Sequence, residues 1–253
     1  MHIIHSWLIR LPPTGHIGPS PIAILMRSLW NVPQWAGSEE QTISLPDFKC
    51  AAVSPGGRLL ALAHAGSKVL LWDGEDRRAL ATVQNGAARI ARLQFSTDGR
   101  LLAIATENSW TRIWQITPTN LVAQFAHRAP SLPVAIELGA TCFSHDGAFY
   151  AQAEGRGLVE VWNLTRKESV HFWKADGKWV SAMAFSPDGK MIATTGYDCV
   201  IRLWDLATGK KKAEEFRTSH HAAMSSFAFS PDGSRLVGTM ADGAVKLWDT
   251  TSA

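Results

Sequence analysis

The chain has 253 residues, 46% apolar and 19% charged, a globular balance that excludes a disordered chain and allows one large all-β domain or two small ones. Its 25 basic and 22 acidic side chains leave a net charge of +3, which gives no electrostatic case for nucleic-acid or membrane binding. Cys50, Cys142 and Cys199 are odd in number, far apart and without CxxC spacing, so neither a disulfide framework nor a zinc site is indicated.

The first residues, "MHIIHSWLIRLPPTG", are apolar but lack a basic leader region and a small-residue cleavage pattern, and read as a poor signal peptide. No apolar run reaches the roughly 18–20 residues that span a bilayer. Residues 11–31, "LPPTGHIGPSPIAILMRSLWN", carry four prolines and no strand alternation. They fit the tail of a leader, a flexible lead-in or an irregular structural unit. "EQTISL" (40–45) then alternates as a strand does.

From residue 53 onward one pattern recurs. Residues 53–73 read "VSPGGRLLALAHAGSKVLLWD", and 95–115 read "FSTDGRLLAIATENSWTRIWQ". Residues 143–163 read "FSHDGAFYAQAEGRGLVEVWN", 185–205 "FSPDGKMIATTGYDCVIRLWD" and 229–249 "FSPDGSRLVGTMADGAVKLWD". Each unit has a Gly fifteen residues before its Trp, and the tryptophans at 72, 114, 162, 204 and 248 are separated by steps of 42, 48, 42 and 44. A constant interior with a variable connector is one supersecondary unit repeated, with insertions confined to loops.

The unit around residue 190 shows the physics. "VSAMAF" (180–185) is an apolar first strand. "SPDG" is a tight turn in which Pro presets φ, Asp caps and Gly takes the left-handed conformation. "KMIATT" returns, "GYD" turns again, and "VIRLWD" is a third strand, followed by a more variable fourth such as "KKKAEEF" (210–216). Ile201 and Leu203 point to one side, Val200 and Trp204 to the other. A sheet that is apolar on both faces must be covered on both, and neighbouring copies of itself provide the cover.

These "FSPDG…LWD" units resemble the WD-repeat (β-transducin-like) family of β-propellers over at least residues 48–249. The resemblance implies an all-β fold of four-stranded antiparallel blades set radially around a channel, with the third-strand Trp packed between blades. It also implies a hydrogen-bonded set of His, Ser/Thr, Asp and Trp in each blade. Blade five supplies His220, Thr239, Asp242 and Trp248, with Ser219 in place of the usual Gly before the His. Blade four keeps Asp198 and Trp204 but has Asp176 where the His belongs. The other blades depart further, with Gly66 in blade one, Gly86 and Asn108 in blade two and Arg156 in blade three. A His–Asp–hydroxyl set also looks like a hydrolase triad, but a spacing that repeats a fold motif favours a structural role.

Other chemistry is sparse. His220 and His221 have no third metal ligand at suitable spacing, and no metal site or cofactor is expected. Lys210, Lys211 and Lys212 suggest phosphate binding, but Glu214 and Glu215 follow at once, as on a solvated strand. No P-loop, GxSxG or dinucleotide fingerprint is present. The expected function is therefore a non-catalytic scaffold that binds proteins or peptides, within a larger complex or as a piece of a longer propeller, in a cytoplasmic setting. A nucleic-acid adaptor and a hydrolase are the alternatives.

By analogy with the family, partners dock on the face that carries the turns between strands two and three. Trp179 and Tyr197 map there in blade four, and Arg89 and Glu107 in blade two. These include the residue types enriched in binding hot spots, although Trp179 also fits as a lid on the core edge. Trp110 is a third candidate, because a small polar residue is usual at its position. The longer connector "AHRAPSLPVAIELGA" (126–140) belongs to the same face, as a specificity loop or as connector drift.

Blade five ends four residues after its "LWD" without a fourth strand. "EQTISL" completes it in a five-bladed ring, or else serves as the fourth strand of an earlier unit. The register favours the second arrangement. Gly15 stands 42 residues before Gly57, Trp30 stands 42 before Trp72, and Asn31 matches Asn163. Residues 1–46 are thus expected to be an eroded sixth repeat and residues 47–253 the five clear ones, in a ring that need not close. Pro19 and Pro21 argue against a regular second strand in that unit, because they remove ladder donors.

Overall fold

The computed structural model describes Leu45 and residues 47–251, apart from 108–109, 118, 127–138, 155–156, 176–178, 218–223 and 241–243. Apart from Leu45 the expected sixth repeat lies outside the described residues, as do the long connector's centre, Asn108, Arg156, Asp176, His220, His221 and Asp242.

The five clear repeats form five antiparallel sheets. Sheet one contains β1 (Cys50–Val53), β2 (Leu59–His64), β3 (Lys68–Asp73) and β4 (Arg78–Gln84). Sheet two follows with β5 (Ile90–Phe95), β6 (Leu101–Thr106), β7 (Trp110–Gln115) and β8 (Asn120–Ala126). Sheet three has β9 (Thr141–Phe143), β10 (Phe149–Glu154), β11 (Leu158–Asn163) and β12 (Glu168–Lys174). Sheet four has β13 (Val180–Phe185), β14 (Met191–Gly196), β15 (Val200–Asp205) and β16 (Lys211–Arg217). Sheet five has only three strands among the described residues, β17 (Met224–Phe229), β18 (Arg235–Met240) and β19 (Val245–Asp249).

The turn chemistry expected of "SPDG" is present. In sheet four the Ser186 hydroxyl donates to Asp188 at 2.6 Å, while the Lys190 and Met191 amides donate to Asp188 and to Ser186 Oγ. Gly189 sits at φ 69°, where a Cβ would be strained. Ser96–Asp98, Ser144–Asp146 and Ser230–Asp232 repeat the arrangement. The Asp or Asn that follows the Trp in sheets one, three and four caps the next turn. Asp73, Asn163 and Asp205 each accept a backbone N–H two or three residues on.

Sheets one to four bury both faces, while sheet five leaves Val237, Val245 and Leu247 exposed. One face carries Ala61 opposite Leu71, Ala103 opposite Ile113, Ala151 opposite Val161 and Ala193 opposite Leu203. All of these are essentially inaccessible. This face packs on the Trp-bearing face of the next sheet, as Ala193, Ile201 and Leu203 do with Phe227, Leu236 and Trp248. Fourth-strand aromatics join these layers: Phe125 stacks on Trp162 at 5.1 Å and Trp173 on Trp204 at 4.9 Å. Third-strand tryptophans therefore do lie between blades.

First strands stand side by side, β1 by β5, β9 by β13 and β13 by β17. Side-chain hydrogen bonds join sheets two and three, with Thr111 donating to Gln152 at 2.7 Å in a buried setting and Thr141 to Gln94 at 2.5 Å in a partly buried one. The result is an all-β propeller of successive blades. Among the described residues it is not closed, since no packing comparable to that between neighbours joins sheet five to sheet one.

Candidate functional site

Strand ends gather the sequence-singled residues on one rim. Trp179 immediately precedes β13 and Tyr197 immediately follows β14. The Tyr197 amide donates to the Trp179 carbonyl at 3.3 Å, which sets the two residues side by side. Tyr197 is 60% exposed and Trp179 is half-buried. Arg89 and Glu107 stand in the same relation in sheet two, the Glu107 amide donating to the Arg89 carbonyl at 3.0 Å, and both are exposed. Trp110 opens β7 at the same end, half-buried, its carbonyl accepting from the Thr106 hydroxyl. The structure brings these residues together as pairs within a blade. The two pairs are separated by sheet three.

The turn that carries Tyr197 is held from below. The Cys199 amide donates to the Gly196 carbonyl, and buried Cys199 adopts φ 57°, an unusual conformation for a side chain other than glycine. Asp198 accepts from the Val200 amide and pairs with Arg202 at 2.5 Å. Arg202 also reaches Glu215 at 3.5 Å, and Glu215 bonds Lys211 at 2.6 Å. The Lys211 hydrogen bond, with its charge and that of Arg202, holds the Glu215 carboxyl below its ordinary range despite partial burial. Lys211 is thus engaged with a carboxylate beside it on the strand.

The hydrogen-bonded set differs from the expectation. Trp248 lies opposite Leu236 and shares its face with Gly238, while Thr239 lies opposite Val245 on the other face. The Thr239 hydroxyl is exposed and directed to the Ser226 carbonyl at 3.4 Å. Thr239 is therefore one position out of register to serve Trp248, and its assignment is corrected. Gly238 is the residue in place, and a Cβ there would crowd Met224 and Trp248. The hydroxyl–indole bond occurs instead in sheet four, where Trp204 Nε1–H donates to Thr194 Oγ1 at 2.8 Å in a buried setting. Thr194 escaped the sequence reading; counting back ten residues from each Trp would have found it. The same count gives Ile104 in sheet two, where the buried Trp114 Nε1–H has no partner.

Burial pushes the Cys50 thiol up to about 12 and raises that of Cys142 as well, so neither is a nucleophile at neutral pH. Among the described residues no group of three His, Cys, Asp or Glu side chains is placed to hold a metal ion. None of their helices is long and apolar enough to cross a membrane.

Residues 167–205 and 213–249 match the model of the WD domain, G-beta repeat, and residues 51–143 match that of the anaphase-promoting complex subunit 4 WD40 domain. The chain is 26% identical over 181 residues to nuclear distribution protein PAC1 of Arthroderma benhamiae, covering 65% of this chain and 39% of that protein. It is 29% identical over 179 residues to WD repeat-containing protein 1 of Bos taurus, covering 69% and 28%. WD repeat-containing protein SL1-17 of Schistosoma mansoni is 26% identical over 159 residues, covering 62% and 50%. The chain thus matches at most half the length of each of these relatives.

Proposed function

The chain belongs to the WD-repeat family, and on that premise we propose that it is a non-catalytic interaction scaffold in the cytoplasm whose rim at blades two and four binds other proteins or peptides. The reading rests on the pairing of half-buried Trp179 with exposed Tyr197, joined through the backbone above an ion-paired turn. An aromatic pair on a rigid strand end offers a large contact area at little entropic cost. Arg89 and Glu107 occupy the equivalent place in blade two and supply charge of both signs. Trp110 extends the blade-two surface.

The scaffold is expected to act inside a larger assembly. Its relatives are much longer chains, and repeat domains commonly serve as one docking module among several. Nucleic-acid binding is disfavoured by the small net charge and by the pairing of Lys211 with Glu215.

Affinity capture compared between the unaltered chain and a Trp179→Ala/Tyr197→Ala variant tests this reading. The expected result is loss of specific partners with an unchanged circular dichroism spectrum. Identical partner sets would remove the aromatic site. Hydrolytic turnover would replace the scaffold reading with an enzymatic one.

A further inference from the structure

Consecutive sheets meet face to face, and the seam between sheets two and three is built differently from the others. The repeats allow position-by-position comparison, counted back from each third-strand Trp. Opposite the Trp on the second strand, Leu102, Ile192 and Leu236 face the preceding sheet, but sheet three has Tyr150 there. Two residues further along that strand, Ile104 and Gly238 give way to Gln152 in sheet three. Thr194, the polar residue at this place in sheet four, is engaged by Trp204 of its own sheet. On the facing side, the third-strand position held by Val69, Val159 and Ile201 in other sheets is Thr111 in sheet two. Thr111, Tyr150 and Gln152 are all buried.

These residues form one polar set across the seam. Thr111 donates to Gln152 Oε1 at 2.7 Å and the Tyr150 hydroxyl donates to the same oxygen at 3.0 Å. Nearer the first strands, Thr141 on β9 donates to Gln94 on β5 at 2.5 Å. Backbone bonds reach across the neighbouring seams, Ile90 N–H to the Gly66 carbonyl and Ala140 N–H to the Val180 carbonyl. The first strands β1 and β5, β9 and β13, and β13 and β17 lie side by side, while β5 and β9 make no comparable approach. The shortness of β9 is not the cause, because β9 does approach β13. The step from Trp114 to Trp162 is 48 residues against 42 and 44 elsewhere, so chain length is available to span a wider gap.

The apolar contacts of this seam lie toward its outer side. Phe125 on the fourth strand stacks on Trp162 at 5.1 Å, and Tyr150 stacks on the same indole at 5.9 Å. Parting Leu102 and Ile104 from Ala61 and Val69 at the first seam would expose apolar surface with nothing in return. Parting Gln94 and Gln152 from Thr141 and Thr111 exchanges protein hydrogen bonds for bonds to water, at a small net cost. The inner side of the seam is therefore the cheapest place for two sheets to separate, and the aromatic stack remains as a pivot.

We propose that the seam between sheets two and three is a hinge, about which sheets one and two swing as a unit against sheets three to five, opening on the side of β5 and β9. Arg89, Glu107 and Trp110 ride on one unit, and Trp179 and Tyr197 on the other. The hinge angle thus sets the spacing of the two halves of the rim. That consequence rests on the rim reading; the hinge itself does not.

The test places thiols at matched positions and measures how often each seam opens. Ala103, opposite Gln94 and Ile113, faces the hinge seam, and Ala61 holds the same place at the first seam. Full-length Ala103→Cys and Ala61→Cys variants are labelled with iodoacetamide under native, reducing conditions and read by peptide mass spectrometry. Each rate is divided by the rate in urea-unfolded chain. The thiol of Ala103→Cys is expected to react at least tenfold faster than that of Ala61→Cys and than buried Cys142 in the same molecule. Low urea leaves the fast rate nearly unchanged, because a hinge exposes little surface, while the slow rates climb with global unfolding. Ala105→Cys, on the same face beside Thr111, repeats the measurement if Ala103→Cys does not fold. Ala123→Cys, close to the aromatic stack, reacts slowly. Equal rates for Ala103→Cys and Ala61→Cys, or the same urea dependence for both, overturn the proposal. Equal fast rates for Ala103→Cys and Ala123→Cys also overturn it, since the sheets then part without a pivot. Trp179→Ala/Tyr197→Ala leaves every labelling rate unchanged, so the rim reading and the hinge fail separately.

Discussion

Thr194 and Trp204 show how much one hydroxyl decides in these repeats. The Trp204 indole is buried between blades, so its N–H must find an acceptor or carry a desolvation penalty, and Thr194 supplies one at 2.8 Å. Thr194→Val keeps the shape and removes the acceptor. We expect it to lower the unfolding free energy by about 1–3 kcal/mol. Trp204→Phe together with Thr194→Val should show a coupling of about 1 kcal/mol in a double-mutant cycle measured by urea denaturation. Strict additivity would show that the bond contributes nothing. Blade two already lacks the acceptor, since Ile104 replaces the Thr and Trp114 Nε1–H is orphaned. The sequence reading found each Trp through its fifteen-residue spacing from Gly. It missed the hydroxyl because a one-residue slip moves a strand residue to the opposite face, and Thr239 and Thr194 differ by that slip.

At the scale of the element, the hairpin between strands one and two is closed in sheets two to five by a Ser–Asp pair that the tetrapeptide pattern made legible. The Ser186 hydroxyl, helped by the Lys190 amide, holds the Asp188 carboxyl below its ordinary range. Ser230 and Ser234 hold Asp232 at about 2. Both pKa values are depressed on folding, so the stabilisation is complete above the unfolded carboxylate value and is lost as pH falls toward the folded one. Urea midpoints should therefore drop between about pH 4 and pH 2. An Asp188→Asn/Asp232→Asn variant should show a shallower drop over that interval, and parallel curves would refute the assignment. A second device at this scale was not legible. The pairing of strand three with strand four shifts register just before Trp72, Trp114 and Trp162, and between Arg202 and Trp204. No residue type marks such a bulge, because the extra residue is accommodated by backbone twist and not by a particular side chain.

For the molecule as a whole, order depends on how each blade grips the next. His171 of sheet three donates from Nε2 to the Leu206 carbonyl of the sheet-four turn at 2.7 Å, and its ring lies against Trp173, which stacks on Trp204. Gly209 makes this approach feasible. It has φ 68°, and a Cβ there would stand 2.5 Å from His171 Nδ1. Gly209→Ala should cost about 1–3 kcal/mol by thermal denaturation and displace the His171 ring, visible as a changed imidazole resonance. An unaltered melting temperature would show that the contact relaxes freely. By itself the sequence determined the repeat, the strand order within each blade and the polar turns, because all three rest on local spacing and local backbone preference. The resemblance to the family assigned Trp179, Tyr197, Arg89 and Glu107 to one rim, and the backbone hydrogen bonds join them as two pairs. Only the tertiary structure decided which hydroxyl meets which indole, where the blades interlock through His171, and that no described strand covers Val245 and Leu247. These depend on which face meets which neighbour, a relation between blades that no single repeat encodes.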